Sequence, residues 1–148
     1  MGVIKPTLTL TSNASTATTD AGPLSIALTL SATDSLAVDQ VATKIVNVDG
    51  THGILWDASD YAATAAAGTD GGFIYIKNVT AAGSGRNIMI GVENENLSSD
   101  DEADRLFTLQ PQEFAWFPWD MSQDIYEDAN GASDNALETW LFVRTGTA

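Results

Sequence analysis

The sequence predicts an all-β protein: an antiparallel β-sandwich, with a jelly roll among the arrangements it admits, preceded by an extended N-terminal arm. Three observations predict it. Eight or nine short runs alternate apolar and polar residues or are rich in β-branched and aromatic ones. Turn chemistry separates them, at Asp49-Gly50, Thr69 to Gly72, Ala82 to Gly85 and Ala129 to Gly131. Helical periodicity is scarce. A chain of 148 residues is the size of one ordinary domain with one core.

Taken in order, residues 1–22 read as the arm. Leu8 and Leu10 alternate with Thr7, Thr9 and Thr11, which makes one strand. The stretch SNASTATTDAG that follows is low in complexity and cannot bury enough surface to fold by itself. A neighbouring subunit is therefore expected to hold the arm, with Val3 to Thr11 adding a strand to it or lying across it.

Residues 23–148 read as the single sandwich domain. Leu24, Ile26, Leu28 and Leu30 form the clearest half-buried strand. Further strands are predicted over 36–48, 53–56, 73–79, 88–93, 106–109, 113–117, 124–127 and 137–145. A short helix is expected at 59–68, capped by Ser59 or Asp60 and ended by Gly68. One helical turn is expected at 98–106, where acidic residues favour the amino end.

Composition narrows the function classes. Six basic residues against 20 acidic ones give a net charge of −14. Lys5, Lys44, Lys77, Arg86, Arg105 and Arg144 are scattered singly, so no basic patch exists for nucleic acid or an anionic membrane. The absence of cysteine removes disulfides, thiol catalysis and Cys-ligated zinc together. The opening MGVIKPTLTLTS has no secretory leader's apolar run, and nowhere do 18 apolar residues follow one another, so folding in a cytoplasm is expected. On that basis the glycosylation triplets at Asn13, Asn78 and Asn96 are chance occurrences.

The stretch LQPQEFAWFPWD, residues 109–120, sets Phe114, Trp116, Phe117 and Trp119 within six residues. On an extended strand Phe114 and Trp116 share one face while Phe117 and Trp119 share the other. Three arrangements accommodate rings on both faces: a bulge that flips the register near Phe117, cover on both sides, or one face against a partner. A bulge over an ordinary core ranks first, a subunit interface second and a sugar-stacking platform third.

Candidate chemistry is thin. His52 is the only histidine and sits in the turn DGTHGIL, so a catalytic triad would depend on it alone. Glu93, Glu95, Asp100, Asp101, Glu102 and Asp104 form an acidic run with oxygen ligands for calcium. Asp128-Ala-Asn130-Gly131 looks like the middle of an EF-hand loop, but Tyr126 and Leu137 occupy its first and last ligand positions. Glu113 with Asp120 or Glu138 would be the carboxylate pair of a glycosidase, although no spacing selects them. No catalytic, cofactor or metal residue is assigned, and the protein is not expected to be an enzyme.

The strings FIYIKNVTAAG (73–83), NIMIGVENE (87–95), FTLQPQEFAWFPWD (107–120) and LETWLFVRT (137–145) resemble small structural proteins of tailed bacteriophages. The likeness covers roughly residues 70–145. One turn departs from it: Pro111-Gln112-Glu113 stands where the family pattern has Pro-Gly-Glu, so a different turn type is expected. The resemblance implies a virion component made in the host cytoplasm, foremost a capsid decoration (cement) protein that contacts the major capsid protein and copies of itself as a homo-oligomer. A tail, collar or fibre subunit is the nearest alternative, and a carbohydrate-binding module the alternative from another class. Val3, Ile4, Leu8, Leu10, Phe114, Trp116, Phe117, Trp119 and Trp140 are the expected interface residues.

Overall fold

A computed structural model describes residues 2–4, 7–11, 25–29, 36–38, 40–62, 71–92, 97, 104–129 and 135–144. The chain divides into two compact units, Met1–Val38 and Asp39–Ala148. The division expected after residue 22 thus falls sixteen residues later (38 − 22).

In the first unit, β1 (Gly2–Ile4) pairs antiparallel with β4 (Leu36–Val38), and β2 (Thr7–Thr11) with β3 (Ser25–Thr29). The period-two run at residues 24–30 does form a strand, β3, but this strand sits opposite β2 and not in the sandwich. Leu8 lies across from Leu28 and Leu10 from Ile26, so the two alternations match in register. Gly2–Ile4 and Thr7–Thr11 are therefore paired inside the chain, along one side of β1 and of β2.

The second unit contains β5 (Gln40–Val48), β6 (Gly53–Trp56), α1 (Ser59–Ala62), β7 (Gly71–Asn78), β8 (Ile88–Gly91), β9 (Arg105–Leu109), β10 (Phe114–Trp119), β11 (Ile125–Ala129) and β12 (Asn135–Arg144). Two four-stranded antiparallel sheets run β10-β7-β12-β5 and β6-β11-β8-β9. The pairings nest: β5 with β12, β6 with β11, β7 with β10 and β8 with β9. A long hairpin rolled up on itself gives that nesting, and the result is a jelly roll.

The core lies between the two sheets. Val48, Ile74, Ile76, Leu137 and Leu141 from one sheet meet Leu55, Ile88, Ile90, Leu109 and Ile125 from the other. Phe107 on β9 meets Phe117 on β10 edge to face across the gap, with ring centroids 5.4 Å apart. Trp56, Tyr61 and Trp119 form a chain of edge contacts at 6.1 and 6.2 Å, which docks α1 onto the core.

Several local expectations change. The strand expected over 36–48 is two strands, β4 and β5. Asp57, not Ser59 or Asp60, leads into α1: its Oδ1 accepts from the Ser59 N–H at 2.8 Å and from the Ser59 hydroxyl at 2.6 Å. Of the expected helix, residues 63–70 lie outside the described residues. Arg105, expected in a helical turn, belongs to β9, which begins one residue before the strand expected over 106–109 and turns Phe107 and Leu109 to the core.

The turn before β10 keeps the geometry that glycine would give it. Glu113 N–H donates to the Gln110 carbonyl at 3.0 Å, and Gln112 adopts a φ of 73°. A side-chain bond holds Gln112 there, its Nε2 donating to the Thr80 carbonyl at 2.6 Å. Asn78 is wholly buried, with Nδ2 donating to the carbonyls of Arg86 and Leu109 at 3.0 and 3.1 Å. That side chain is a structural peg, out of reach of a glycosylating enzyme; Asn13 and Asn96 lie outside the described residues.

Candidate interaction surface

The pairing of β10 with β7 runs in unbroken register from Phe114 opposite Lys77 to Trp119 opposite Gly72. No bulge interrupts it near Phe117. Alternation then decides each ring: Ala115, Phe117 and Trp119 turn inward, while Phe114, Trp116 and Pro118 point outward. Phe117 and Trp119 are thus core residues rather than interface residues. Trp119 is 6% exposed, and its indole N–H donates to the Gln123 carbonyl at 2.9 Å.

The same parity operates on the three neighbouring strands, and the registers assemble an outward grid. One row holds Pro118, Phe73, Phe142 and Val41, the next Trp116, Tyr75, Trp140 and Thr43, and the third Phe114, Lys77, Glu138 and Ile45. Nine of these twelve positions are apolar or aromatic, on the side of the sheet that faces away from the core. Ile45 is 76% exposed, Phe114 55% and Val41 48%, so the outer corners are the least covered.

The rings support one another. Phe73 stacks on Trp116 at 5.5 Å, Trp140 stacks on Phe142 at 6.3 Å, and Trp116 leans on Phe142 at 5.3 Å. Aromatic pairs of this kind contribute about 0.5–1.5 kcal/mol each beyond area burial. Burial first, and then the nearby Glu138 carboxylate, push the Tyr75 phenol above its ordinary pKa. Glu138 also accepts from the Trp140 indole N–H at 3.0 Å, which fixes both side chains on the surface.

Sequence reasoning found Phe114, Trp116 and Trp140 of this surface and missed Phe73, Phe142, Val41 and Ile45. A signal was present. FIYIK and TWLFV carry large apolar residues at consecutive positions, so each strand has to place some of them outward. Of the remaining expected interface residues, Val3 and Ile4 lie on β1, and Leu8 and Leu10 on β2; their side chains fall outside the described part of the structure.

The candidate chemical residues are not brought together. Glu113 and Asp120 flank β10 at opposite ends, roughly 20 Å apart along the strand, far beyond the spacing of a glycosidase pair. Glu113 accepts from the Gln110 N–H at 2.9 Å, and Asp120 accepts from the Ser122 hydroxyl and N–H at 2.7 and 3.0 Å. Those bonds hold the Asp120 carboxyl below its ordinary pKa. His52 packs near Tyr126, ring centroids 6.4 Å apart. Of the acidic run only Asp104 is among the described residues, and no three described His, Cys, Asp or Glu side chains group as metal ligands. Asn130 and Gly131 lie outside the described residues. A cleft of about 370 Å³ beside β10, lined by Leu106, Phe117, Pro118 and Trp119 among others, is mostly apolar, with Asp120 the one charged residue in its lining.

One buried charge was not anticipated. Glu127 shares its parity on β11 with Ile125 and Ala129, which places it inside the sandwich at 6% exposure. Lys44 shares its parity on β5 with Val46 and Val48, and so points inward from the other sheet. The Lys44 ammonium lies 4.0 Å above the Trp56 ring and donates to the Leu55 carbonyl. Burial lowers its pKa, opposed by Glu127 and Asp60. Burial, followed by Asp128 and Asp49, raises the Glu127 carboxyl to about 7, against the attraction of Lys44. Gly53 leaves room for that carboxylate: a Cβ there would lie 2.8 Å from Glu127 Oε1.

No family model matches the chain, and no curated protein matches it either. Among solved structures it is similar to a Bacillus endospore appendage protein, described as forming a novel family of disulfide-linked pili. That likeness has a TM-score of 0.44 at 12% identity and spans 76% of this chain and 96% of that one.

Proposed function

We propose that the protein is a structural subunit of a tailed-phage virion, a capsid decoration (cement) protein that stabilises the head by contacts with the major capsid protein and with copies of itself. The observation that carries this reading is the outward aromatic grid. Trp116, Trp140, Phe114 and Ile45 stand together on a solvent face, and contiguous exposed apolar patches often mark association surfaces. The charge of −14 is compatible with an outer shell position, away from packaged DNA.

A tail, collar or fibre subunit would use the same grid, and assembly location separates it from decoration. The carbohydrate-binding alternative is disfavoured by the stacking, since Phe73 covers a face of Trp116 and Phe142 a face of Trp140 that a sugar would need. The test is reconstitution. Purified protein is mixed with phage heads that lack it, and the heads are separated on a density gradient. Loading at a fixed copy number, with heads more resistant to heat, is the expected result. Absence from heads, with recovery in tails, moves the protein to the tail reading; absence from both removes it from the virion.

A further inference from the structure

We infer that the aromatic grid is closed by a second copy of this chain, packed face to face about a two-fold axis that lies parallel to the strands, midway between β7 and β12. The inference deepens the assembly reading above, resting on it only in taking the grid as an interface, and it names the occupant.

The argument is the order of residues along one row. Across the sheet that row reads Phe114, Lys77, Glu138, Ile45. The stated axis exchanges β10 with β5 and β7 with β12, so the row meets its own reverse. Phe114 then faces Ile45 of the partner subunit, and Lys77 faces Glu138 of the partner subunit. The two most exposed large apolar residues among the described residues cover each other, and every charge meets its opposite, twice over by symmetry. In the middle row, Tyr75 meets Trp140 of the partner subunit; in the remaining row, Phe73 meets Phe142 of the partner subunit.

Two other two-fold axes in the plane of the face fail this match. An axis perpendicular to the strands through the Trp116 row lays Lys77 and Glu138 on phenyl rings. One through the Lys77 row sets Lys77 on Lys77 of the partner subunit. Both leave charges buried without an opposite charge.

Charge and size agree with this occupant. The grid itself carries one Lys and one Glu, a balance of zero, in a chain whose net charge is −14. The grid offers a basic partner no cluster of carboxylates to pair with, whereas a second copy supplies an opposite charge at each of its two charged positions. Four strands at about 4.8 Å and three rows at about 6.8 Å give a footprint of roughly 400 Å² in projection, and upright rings expose more than their projection. Two such faces together cover about 800 Å² in projection, at the small end of protein interfaces, where association is weak and transient.

Sedimentation of the full chain at roughly 100 µM tests it, a concentration suited to such affinities. The wild type is expected to be dimeric. Lys77→Glu and Glu138→Lys, each alone, set like charges opposite one another and should weaken the dimer about tenfold or more. Mixing the two variants restores opposite charges at both contacts, so the mixture should dimerise more tightly than either variant alone. A correction confined to the charges within one chain could not produce that rescue. A monomeric wild type, single variants that dimerise as tightly as wild type, or a mixture no tighter than its components would each overturn the inference. A wild-type dimer that never loads onto phage heads leaves this inference standing and removes the virion reading.

Discussion

Trp56 on β6 donates its indole N–H to the hydroxyl of Thr139 on β12, 3.0 Å away, so a buried hydrogen bond ties the two sheets of the jelly roll together. The same hydroxyl donates to the Tyr75 carbonyl at 3.0 Å, which gives Thr139 one donor and one acceptor role inside the core. Thr139→Val keeps the shape but strands the indole N–H in an apolar setting. It should cost about 1–3 kcal/mol of unfolding free energy by urea denaturation, whereas Thr139→Ser should retain most of the stability. Equal stability of the Val variant and the wild type would show that the bond contributes nothing.

The three tryptophans of the β10-β7-β12-β5 sheet divide by its sides. Trp119→Ala should cost about 3–5 kcal/mol, because it empties a core position. Trp116→Ala and Trp140→Ala remove outward rings that are more than a third exposed and lean on neighbouring rings, Trp140 also losing its bond to Glu138. About 1–2 kcal/mol is expected for each. Thermal melts of the three variants decide the matter; a Trp116 variant as unstable as the Trp119 variant would mean that the outer face is part of the folding core.

Glu127 makes stability depend on pH. Its carboxyl titrates near 7 in the folded chain against 4.5 for the ordinary group, chiefly through burial. Between those values the folded state holds a proton that the unfolded state has released. The stabilising contribution is therefore complete below about pH 4.5 and is lost as pH rises through 7. Glu127→Gln should be more stable than wild type at pH 8, on the order of 2 kcal/mol after allowance for solvent screening, and the gap should shrink toward pH 5. Chemical denaturation of both proteins across that range measures it. A constant gap would mean that Glu127 is ionised throughout.

The division after Val38 yields a truncation test. All eight strands of the jelly roll lie within Asp39–Ala148. Removal of residues 1–38 should leave a β-rich circular dichroism spectrum and a cooperative melt. Removal of residues 1–20 alone instead strips β3 and β4 of their strand partners and should promote aggregation, since unpaired strand edges recruit other chains. A 39–148 fragment that fails to fold would show that the first unit is required by the second.

The sequence by itself determined the class of fold and the position of most strands. Period-two alternation and Asp-Gly or Gly-rich turns act within a few residues, so the strand at Gly53–Trp56 was legible to the residue. It also determined that the chain has no cysteine and a single histidine, because those counts need no coordinates. Two things only the tertiary structure decided. Whether Phe117 was core or surface turned on an unbroken register with β7, a pairing between segments some forty residues apart. The outward grid exists because four strands remote in sequence bring their second faces side by side, and no single strand reveals what its neighbours contribute. Glu127 shows the same limit: its parity with Ile125 and Ala129 was readable, but the Lys44 that answers it comes from the opposite sheet. Local pattern fixes which way a side chain alternates, and long-range pairing fixes what it meets there.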